Sequence, residues 1–376
     1  MTDAAPDSPR DLWNRFCDEL RQTGNWVLND PDHQDPLNQA EGLRYLTRLL
    51  RIGLEMQLEF ADPQVPAFFM PSHETAKIGA DNPDNLYQSA RIAADGIYRI
   101  SGQRNSVHYL SIQTQRGGYA DTGKLEQSGF IDDRSLSVDE NGYFEIIVSQ
   151  QAPADSGANW LPMSADTHSV LVRHTFHDRR AEAAASVRIE RVDQTDKPLP
   201  PTPAFINNGL LSAAKFVQST AKLIHDWSAD FMPAVNTLPM ADQAFCRSIG
   251  GDPNITYYHG YWALAPEQFM VIHVPRIPDC ETWNIQIDNR WMESLDYRVY
   301  RCTLNKHSAQ RNSDGSVTMV LAHQDPGVVN WLETAGHVNG TTCFRWVGTQ
   351  DLVDPVIRVT TLEELQATID TLSVRP

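Results

Sequence analysis

The chain has 376 residues, 41% of them hydrophobic, and its 48 acidic and 31 basic side chains give a formal net charge of −17. This length predicts two or three domains with substantial cores, and the negative charge argues against a nucleic-acid partner because phosphate backbones would be repelled. No segment approaches the roughly 18 apolar residues of a transmembrane helix, and the N-terminal stretch has no secretion-signal pattern, so we expect a cytoplasmic protein that does not bind membranes.

The N-terminal segment, residues 1–80, is predicted to be helical. One helix covers Pro9 to Val27, and a turn-rich stretch over 29–38 follows it. A second helix, over 40–58, has leucines on one face at helical spacing: Leu43, Leu46, Leu50 and Leu54.

Residues 81–200 show the pattern of a first β-domain, with short strands in IYRISGQ, VHYLSIQTQ, GYFEIIVSQ and HSVLVRHTFHD. The proline-rich DKPLPPTP then leads to a helical linker, residues 201–250, with a helix over 206–232. Strands resume in a second β-domain, residues 251–376. A C-terminal helix is predicted to begin with a capping box formed by Thr360 and Glu363.

The two β-domains look like copies of one unit. YLSIQTQ, NGYFEIIVSQ, NWLP and LVRHTF in the first match WNIQIDN, DGSVTMVLAH, NWLE and CFRWVG in the second. The first aromatic residue precedes the turn glycine by 33 residues (109 to 142) in one copy and by 32 (283 to 315) in the other. Four landmarks in the same order predict a duplicated antiparallel unit of sandwich or jelly-roll type.

These motifs resemble a bacterial family, the domain of unknown function number 1214, which often accompanies a domain numbered 1254. The resemblance covers roughly residues 81–350 and is most specific over 283–346. It implies a pair of jelly-roll-like β-domains with accessory helices, and it brings no reaction with it. The second copy has NWLE where NWLP is the commoner form, which suggests that this loop has been adapted to another use.

Several signatures of known enzymes are missing from the sequence. It contains no GxSxG, HExxH, P-loop or GxGxxG motif, which argues against kinases and simple dehydrogenases. The five cysteines are scattered, and none forms a CxxC pair, which is typical of reduced thiols.

The second copy holds more reactive side chains than the first, so we place the candidate catalytic residues there. His323 could act as a base, and so could Glu293, whose pKa would rise in an apolar pocket. Tyr297 could stabilise a developing anion, and His337 follows a glycine on a loop and could act as the acid. The alternatives are a solvated hairpin carboxylate for Glu293 and a strand-end histidine beside a turn for His323.

The candidate substrate-binding residues lie in the same domain. Arginines could bind a carboxylate or phosphate with two hydrogen bonds, and the competing interpretation is that they form internal salt bridges. For the Asn and Trp of the NWL element, the competing interpretation is an architectural role, in which the Trp fills the sandwich and the Asn caps a turn. The set comprises Asn289, Arg290, Trp291, Asn330, Trp331 and Arg345.

The leading hypothesis is a cofactor-independent acid–base enzyme, a lyase or hydrolase, that acts on a small aromatic or polycyclic catabolite in a pocket of the second β-domain. The aromatic run YYHGYW, Tyr257 to Trp262, could form the pocket wall or fill the core. One alternative is a non-catalytic protein that binds a carbohydrate or another small ligand. Another is a metal enzyme that uses His323, Asp325 and His337. The oligomeric state stays open.

Overall fold

The computed structural model describes residues 8–31, 34–155, 157–194 and 200–368. Helices α1 (Pro9–Leu28) and α2 (Pro36–Leu54) open the chain, and each begins with a proline after a side-chain cap, Ser8 or Asp35. A π-helical turn, Glu55–Glu59, extends α2. The other α-helices of the described residues are α3 (Pro203–Ala229), α4 (Gln243–Ser248) and α5 (Leu362–Thr368), and a short 3-10 helix covers Met232–Ala234.

The first β-domain has eight strands in two four-stranded sheets, in the orders β1-β7-β3-β4 and β6-β5-β2-β8. All neighbours are antiparallel except β5 and β6, which are parallel. The strands are β1 (Asn85–Arg91), β2 (Tyr98–Gln103), β3 (Tyr109–Gly118), β4 (Lys124–Asp132), β5 (Tyr143–Ser149), β6 (Asn159–Pro162), β7 (Thr167–Thr175) and β8 (Ser186–Arg191).

The second β-domain repeats this topology strand for strand. Its sheets have the orders β9-β15-β11-β12 and β14-β13-β10-β16, and β13 and β14 form the parallel pair. The predicted duplication is therefore confirmed. The strands are β9 (Ile255–Ala263), β10 (Gln268–Val274), β11 (Thr282–Ile287), β12 (Thr303–Asn305), β13 (Val317–Ala322), β14 (Trp331–Glu333), β15 (Asn339–Val347) and β16 (Val356–Thr361).

Each β-domain buries an apolar core between its two sheets. In the second domain this core includes Trp262, Trp283, Phe344 and Trp346. Successive residues of a strand point to opposite faces. Phe344 and Trp346 of β15 face this core. Arg345 lies between them and therefore points out of the sandwich, towards the other domain.

The NWL element has the same bonding in both domains. Each asparagine donates from Nδ2 to two backbone carbonyls and accepts a backbone N–H at Oδ1, and each tryptophan indole donates to a backbone carbonyl. These bonds tie the strand to its neighbours, which is an architectural role. The contacts of Asn159 are with Ser137 and Glu145, and those of Asn330 are with Gln310 and Thr318. Trp160 donates to Ser149 and Trp331 to Ala322.

Three sequence predictions need correction or limits. The linker helix lies at 203–229 instead of 206–232. The capping box of α5 is formed by Thr361 and Glu364, one residue later than predicted, because β16 continues through Thr361. Part of the proline-rich linker, residues 195–199, lies outside the described residues. Within the described ranges, no helix has the length and apolarity needed to cross a membrane.

Candidate functional site

A cavity of about 250 Å³ lies between the two β-domains, beneath α2 and α3. This interdomain cavity is bounded by the outward faces of β1, β7, β9 and β15, and it is far larger than the ~10–15 Å³ that one water needs. The sequence predicted a pocket within the second β-domain, whereas this cavity is shared by both. Its apolar wall includes the rings of Phe60, Phe69, Tyr119, Phe216, Trp227 and Tyr257.

Strand alternation explains which side chains reach the interdomain cavity. Tyr257 and His259 alternate along β9, and their partners on β15 are Arg345 and Cys343. Of the predicted aromatic wall, Tyr257 and His259 line the cavity. Tyr258 and Trp262 instead belong to the sandwich core, so both interpretations of YYHGYW hold for part of the run.

Arg345 connects the second β-domain to the chain that leads into the first. Its Nη1 donates to Gln286 Oε1 at 2.5 Å, and its Nη2 donates to the Ala80 carbonyl at 2.5 Å. The residue is 4% exposed and lines the interdomain cavity.

Arg173 makes the reciprocal connection from the first domain. Its Nη1 donates to Gln113 Oε1 at 2.8 Å, and its Nη2 donates to the Gly250 carbonyl, in the segment that leads into β9. Each arginine thus reaches the segment that precedes the other domain. We call these two sets of contacts the arginine latches.

His259 is enclosed by aromatic rings at the cavity wall. Phe231 stacks on it with ring centroids 5.5 Å apart, and the Trp227 ring meets it edge-on at 4.8 Å. Burial, with a smaller contribution from the positive charge of Arg345, lowers the pKa of His259 to about 3. The imidazole is therefore neutral at physiological pH, and its Nδ1 has no hydrogen-bond partner among the described residues.

Two further buried polar groups at the cavity wall lack a partner among the described residues. They are the amide nitrogen of Gln115, a residue that is 3% exposed, and the amide oxygen of Asn85. Buried polar groups are normally hydrogen-bonded. Together with His259 Nδ1, these atoms could hydrogen-bond a ligand.

Glu293 lies near a second, more polar cavity of about 260 Å³ between α2 and the second β-domain. Its two carboxylate oxygens accept from Arg48 Nη1 at 2.8 Å and from Asn289 Nδ2 at 2.9 Å. Burial raises the pKa of Glu293, and the ion pair with Arg48 opposes that rise. The solvated-hairpin alternative is therefore excluded, since the side chain is fully buried. Asn289 itself lines this polar cavity.

The two candidate histidines of the second copy have different surroundings. His323 contacts Thr334 Oγ1 at 2.9 Å and the Leu264 carbonyl at 3.1 Å, so both ring nitrogens are engaged. His337 is 5% exposed and lines the polar cavity. Its Nδ1 lies 3.0 Å from the Thr334 carbonyl, and its Nε2 has no hydrogen-bond partner among the described residues.

The proposed metal ligands are not arranged as a metal site. Asp325 is exposed and its Oδ1 accepts from Gly327 N at 2.9 Å, which caps the turn. Over the described ranges, no group of three or more His, Cys, Asp or Glu side chains could hold a metal ion, and this includes His323, Asp325 and His337.

The other predicted site residues contact neighbouring elements of the chain. Trp291 stacks on Tyr45 of α2 at 5.5 Å, and Arg290 Nη2 lies 3.9 Å from the carboxylate of Asp30. The Tyr297 ring lies under Lys77 Nζ, which is 4.6 Å from its centroid. Tyr297, Asn330 and Trp331 line neither of the two cavities. Of the predicted set, only Arg345 reaches the interdomain cavity.

Comparisons with known proteins place this architecture. The family described as "Protein of unknown function (DUF1214)" matches the chain twice, over residues 88–176 and 263–351. The crystal structure of an uncharacterized protein from Burkholderia cenocepacia has 52% sequence identity, and the match covers 94% of this chain and 98% of that one with a TM-score of 0.92.

This chain belongs to the DUF1214 family. The two matches of the DUF1214 family agree with the duplicated β-fold described above, which the sequence resemblance implied. A crystal structure from Vibrio parahaemolyticus has 10% identity over 85% of this chain and 97% of its own, with a TM-score of 0.50, which is a likeness of fold alone. A comparison with curated proteins found no match.

Sequence reasoning missed several cavity residues of this DUF1214 protein. Arg91, on β1, was not predicted to lie in a strand because β1 faces the cavity with polar residues and lacks a clear apolar alternation. Gln115 and Trp227 reach the cavity only through the packing of the two domains and α3. The available signal was a pair of arginines at matching positions of the repeated motifs LVRHTF and CFRWVG, Arg173 and Arg345.

Proposed function

We propose that this DUF1214 protein binds a small, mainly apolar organic molecule in the interdomain cavity. The observation that carries the proposal is the combination of an aromatic wall with buried polar atoms, such as His259 Nδ1, that have no hydrogen-bond partner in the described part of the chain. An apolar cavity with a few oriented polar groups is typical of small-molecule sites. The aromatic rings favour a ligand that contains one or two rings.

The test uses neutral probe molecules, so that the measured binding does not depend on a charge of the ligand. Benzyl alcohol, indole and 2-naphthalenemethanol would be titrated into the protein by calorimetry. We expect at least one to bind with one-to-one stoichiometry. Leu223→Trp, which fills the cavity from α3, should weaken that binding at least tenfold.

The matched control is Ile206→Trp, on the same helix but 39% exposed and outside the cavity wall. Its affinity should stay within about twofold of the wild type. Equal affinity of all three proteins would place the bound probe outside the cavity and contradict the proposal.

A catalytic role is the second candidate, and one observation favours it. His337, the predicted acid of the lyase or hydrolase site, presents at the wall of the polar cavity a buried Nε2 that has no hydrogen-bond partner among the described residues. An acid–base reaction there should be lost in His337→Gln and kept in His323→Gln, whose ring is engaged by Thr334 and Leu264. Mass spectrometry that monitors the turnover of a panel of aryl esters distinguishes these variants. Activity in His337→Gln would contradict the catalytic role.

The cellular setting that we propose is the catabolism of small aromatic compounds in the cytoplasm. All five cysteines are free thiols, which supports a reducing compartment.

A further inference from the structure

We infer that the ligand of the interdomain cavity is an aryl carboxylate whose anionic group contacts Arg345. The inference rests on the proposed function and adds the charge and the orientation of the ligand. The carboxylate would lie at the arginine, and the aromatic body would extend along the rings of Trp227 and Phe216.

Arg345 has hydrogen-bonding capacity that the protein does not use. A guanidinium has five N–H donors, and Arg345 makes three hydrogen bonds, to Gln286, Asn284 and the Ala80 carbonyl. Five minus three leaves two N–H groups without an acceptor among the described residues. An arginine with a free pair of donors is well suited to a carboxylate.

The positive charge of Arg345 also has no direct ion-pair partner among the described residues, and the buried carboxyls of Asp84 and Asp288 act on it only from farther away. It is 4% exposed, and within the described part of the chain no carboxylate oxygen lies within 4.0 Å of its guanidinium. Arg173, its counterpart in the first domain, has Asp252 at 3.9 Å. Buried charges are normally paired, so an anion in the cavity would complete the environment of Arg345.

The cavity wall as a whole favours an anion. It includes three arginines, Arg91, Arg173 and Arg345, and one carboxylate, Asp81. The Asp81 carboxylate already accepts from the Ser294 backbone N at 2.9 Å and from its Oγ at 2.8 Å. This excess of positive charge occurs in a chain with a net charge of −17. A cationic ligand would be repelled, and a neutral one would leave Arg345 unpaired.

Gln115 supports the same ligand class. Its amide nitrogen is a donor with no acceptor among the described residues, so it favours a ligand that carries acceptor oxygens.

The test compares two probes of nearly the same shape, 2-naphthoate and 2-naphthalenemethanol, by calorimetry on the full-length protein. We expect 2-naphthoate to bind at least tenfold more tightly. Equal affinities would overturn the carboxylate inference and leave the proposed binding function standing. If none of the four probes binds (2-naphthoate, 2-naphthalenemethanol, benzyl alcohol and indole), both the carboxylate inference and the proposed binding function are overturned.

Two variants separate the charge of Arg345 from its structural contacts. Arg345→Met removes both, and Gln286→Met removes one latch contact while it leaves the guanidinium in place. The preference for 2-naphthoate should disappear in Arg345→Met and persist in Gln286→Met. A preference that persists in folded Arg345→Met would overturn the assignment. If that variant does not fold, the comparison of the two probes on the wild type still decides the matter.

Discussion

At the scale of single residues, burial sets the protonation of the groups between the two β-domains. Asp288 is fully buried, and burial, with Asp81 adding to it, raises the pKa of its carboxyl to about 7. Its Oδ1 accepts from Gln286 Nε2 at 2.6 Å, and its Oδ2 has no hydrogen-bond partner among the described residues. The folded state therefore holds a proton on Asp288 that the unfolded chain releases near pH 4.

This proton makes stability depend on pH in a definite direction. The folded pKa is raised, so the contribution of Asp288 is fully present below about pH 4 and is lost as the pH rises towards 7. The slope cannot exceed roughly 1.4 kcal/mol per pH unit. Asp288→Asn keeps an acceptor for Gln286 and removes the titration. Its stability relative to the wild type should therefore increase from pH 4 to pH 7.

Guanidinium unfolding of both proteins at pH 4.5, 5.5 and 7 measures this difference. Parallel pH profiles for the wild type and Asp288→Asn would contradict the account of Asp288.

At the scale of elements, the close approach of α3 to the π-helical turn shapes one side of the interdomain cavity. A Cβ at Gly209 of α3 would lie 2.5 Å from the Gln57 carbonyl oxygen and 2.4 Å from Leu58 Cδ2. Only glycine permits this packing. The same turn brings Met56 and, just beyond it, Phe60 to the cavity wall. π-helical turns are often found at functional sites.

Gly209→Ala should therefore force α3 away from the π-helical turn. We expect a loss of roughly 1–3 kcal/mol in the free energy of unfolding, as for overpacked cores, and a weaker affinity for 2-naphthalenemethanol. The control is Gly24→Ala in α1, where the nearest atom to the new Cβ is 3.9 Å away. That change should leave binding unaltered and add up to ~1 kcal/mol of stability. Equal stability of the two variants would contradict the packing argument.

Several elements could be predicted from sequence and others could not. The helix from Pro9 and the strands of alternating apolar residues, such as Tyr143–Ser149, follow from local periodicity. β1 and the π-helical turn could not be predicted from local periodicity, because their residues face the cavity and α3 and do not form one continuous apolar face. The capping box of α5 was placed one residue early since sequence does not show where β16 ends.

At the scale of the whole molecule, the duplication creates a cavity that neither copy contains by itself. The arginine latches join each domain to the segment that precedes the other, and the faces of β1, β7, β9 and β15 form the walls between them. The sequence revealed the repeat, and its motifs LVRHTF and CFRWVG contain the two arginines. We predicted the site within the second copy because the sequence shows more reactive side chains there than in the first. The sequence does not show how the two domains pack against each other.

Ligand binding between the two domains is tested most directly by a crystal structure with 6-bromo-2-naphthoate, in which anomalous scattering locates the bromine independently of the protein. We expect a bromine peak inside the interdomain cavity, near Trp227, with the carboxylate on the guanidinium of Arg345. A bromine peak only in the polar cavity near His337, or only on the protein surface, would contradict this expectation.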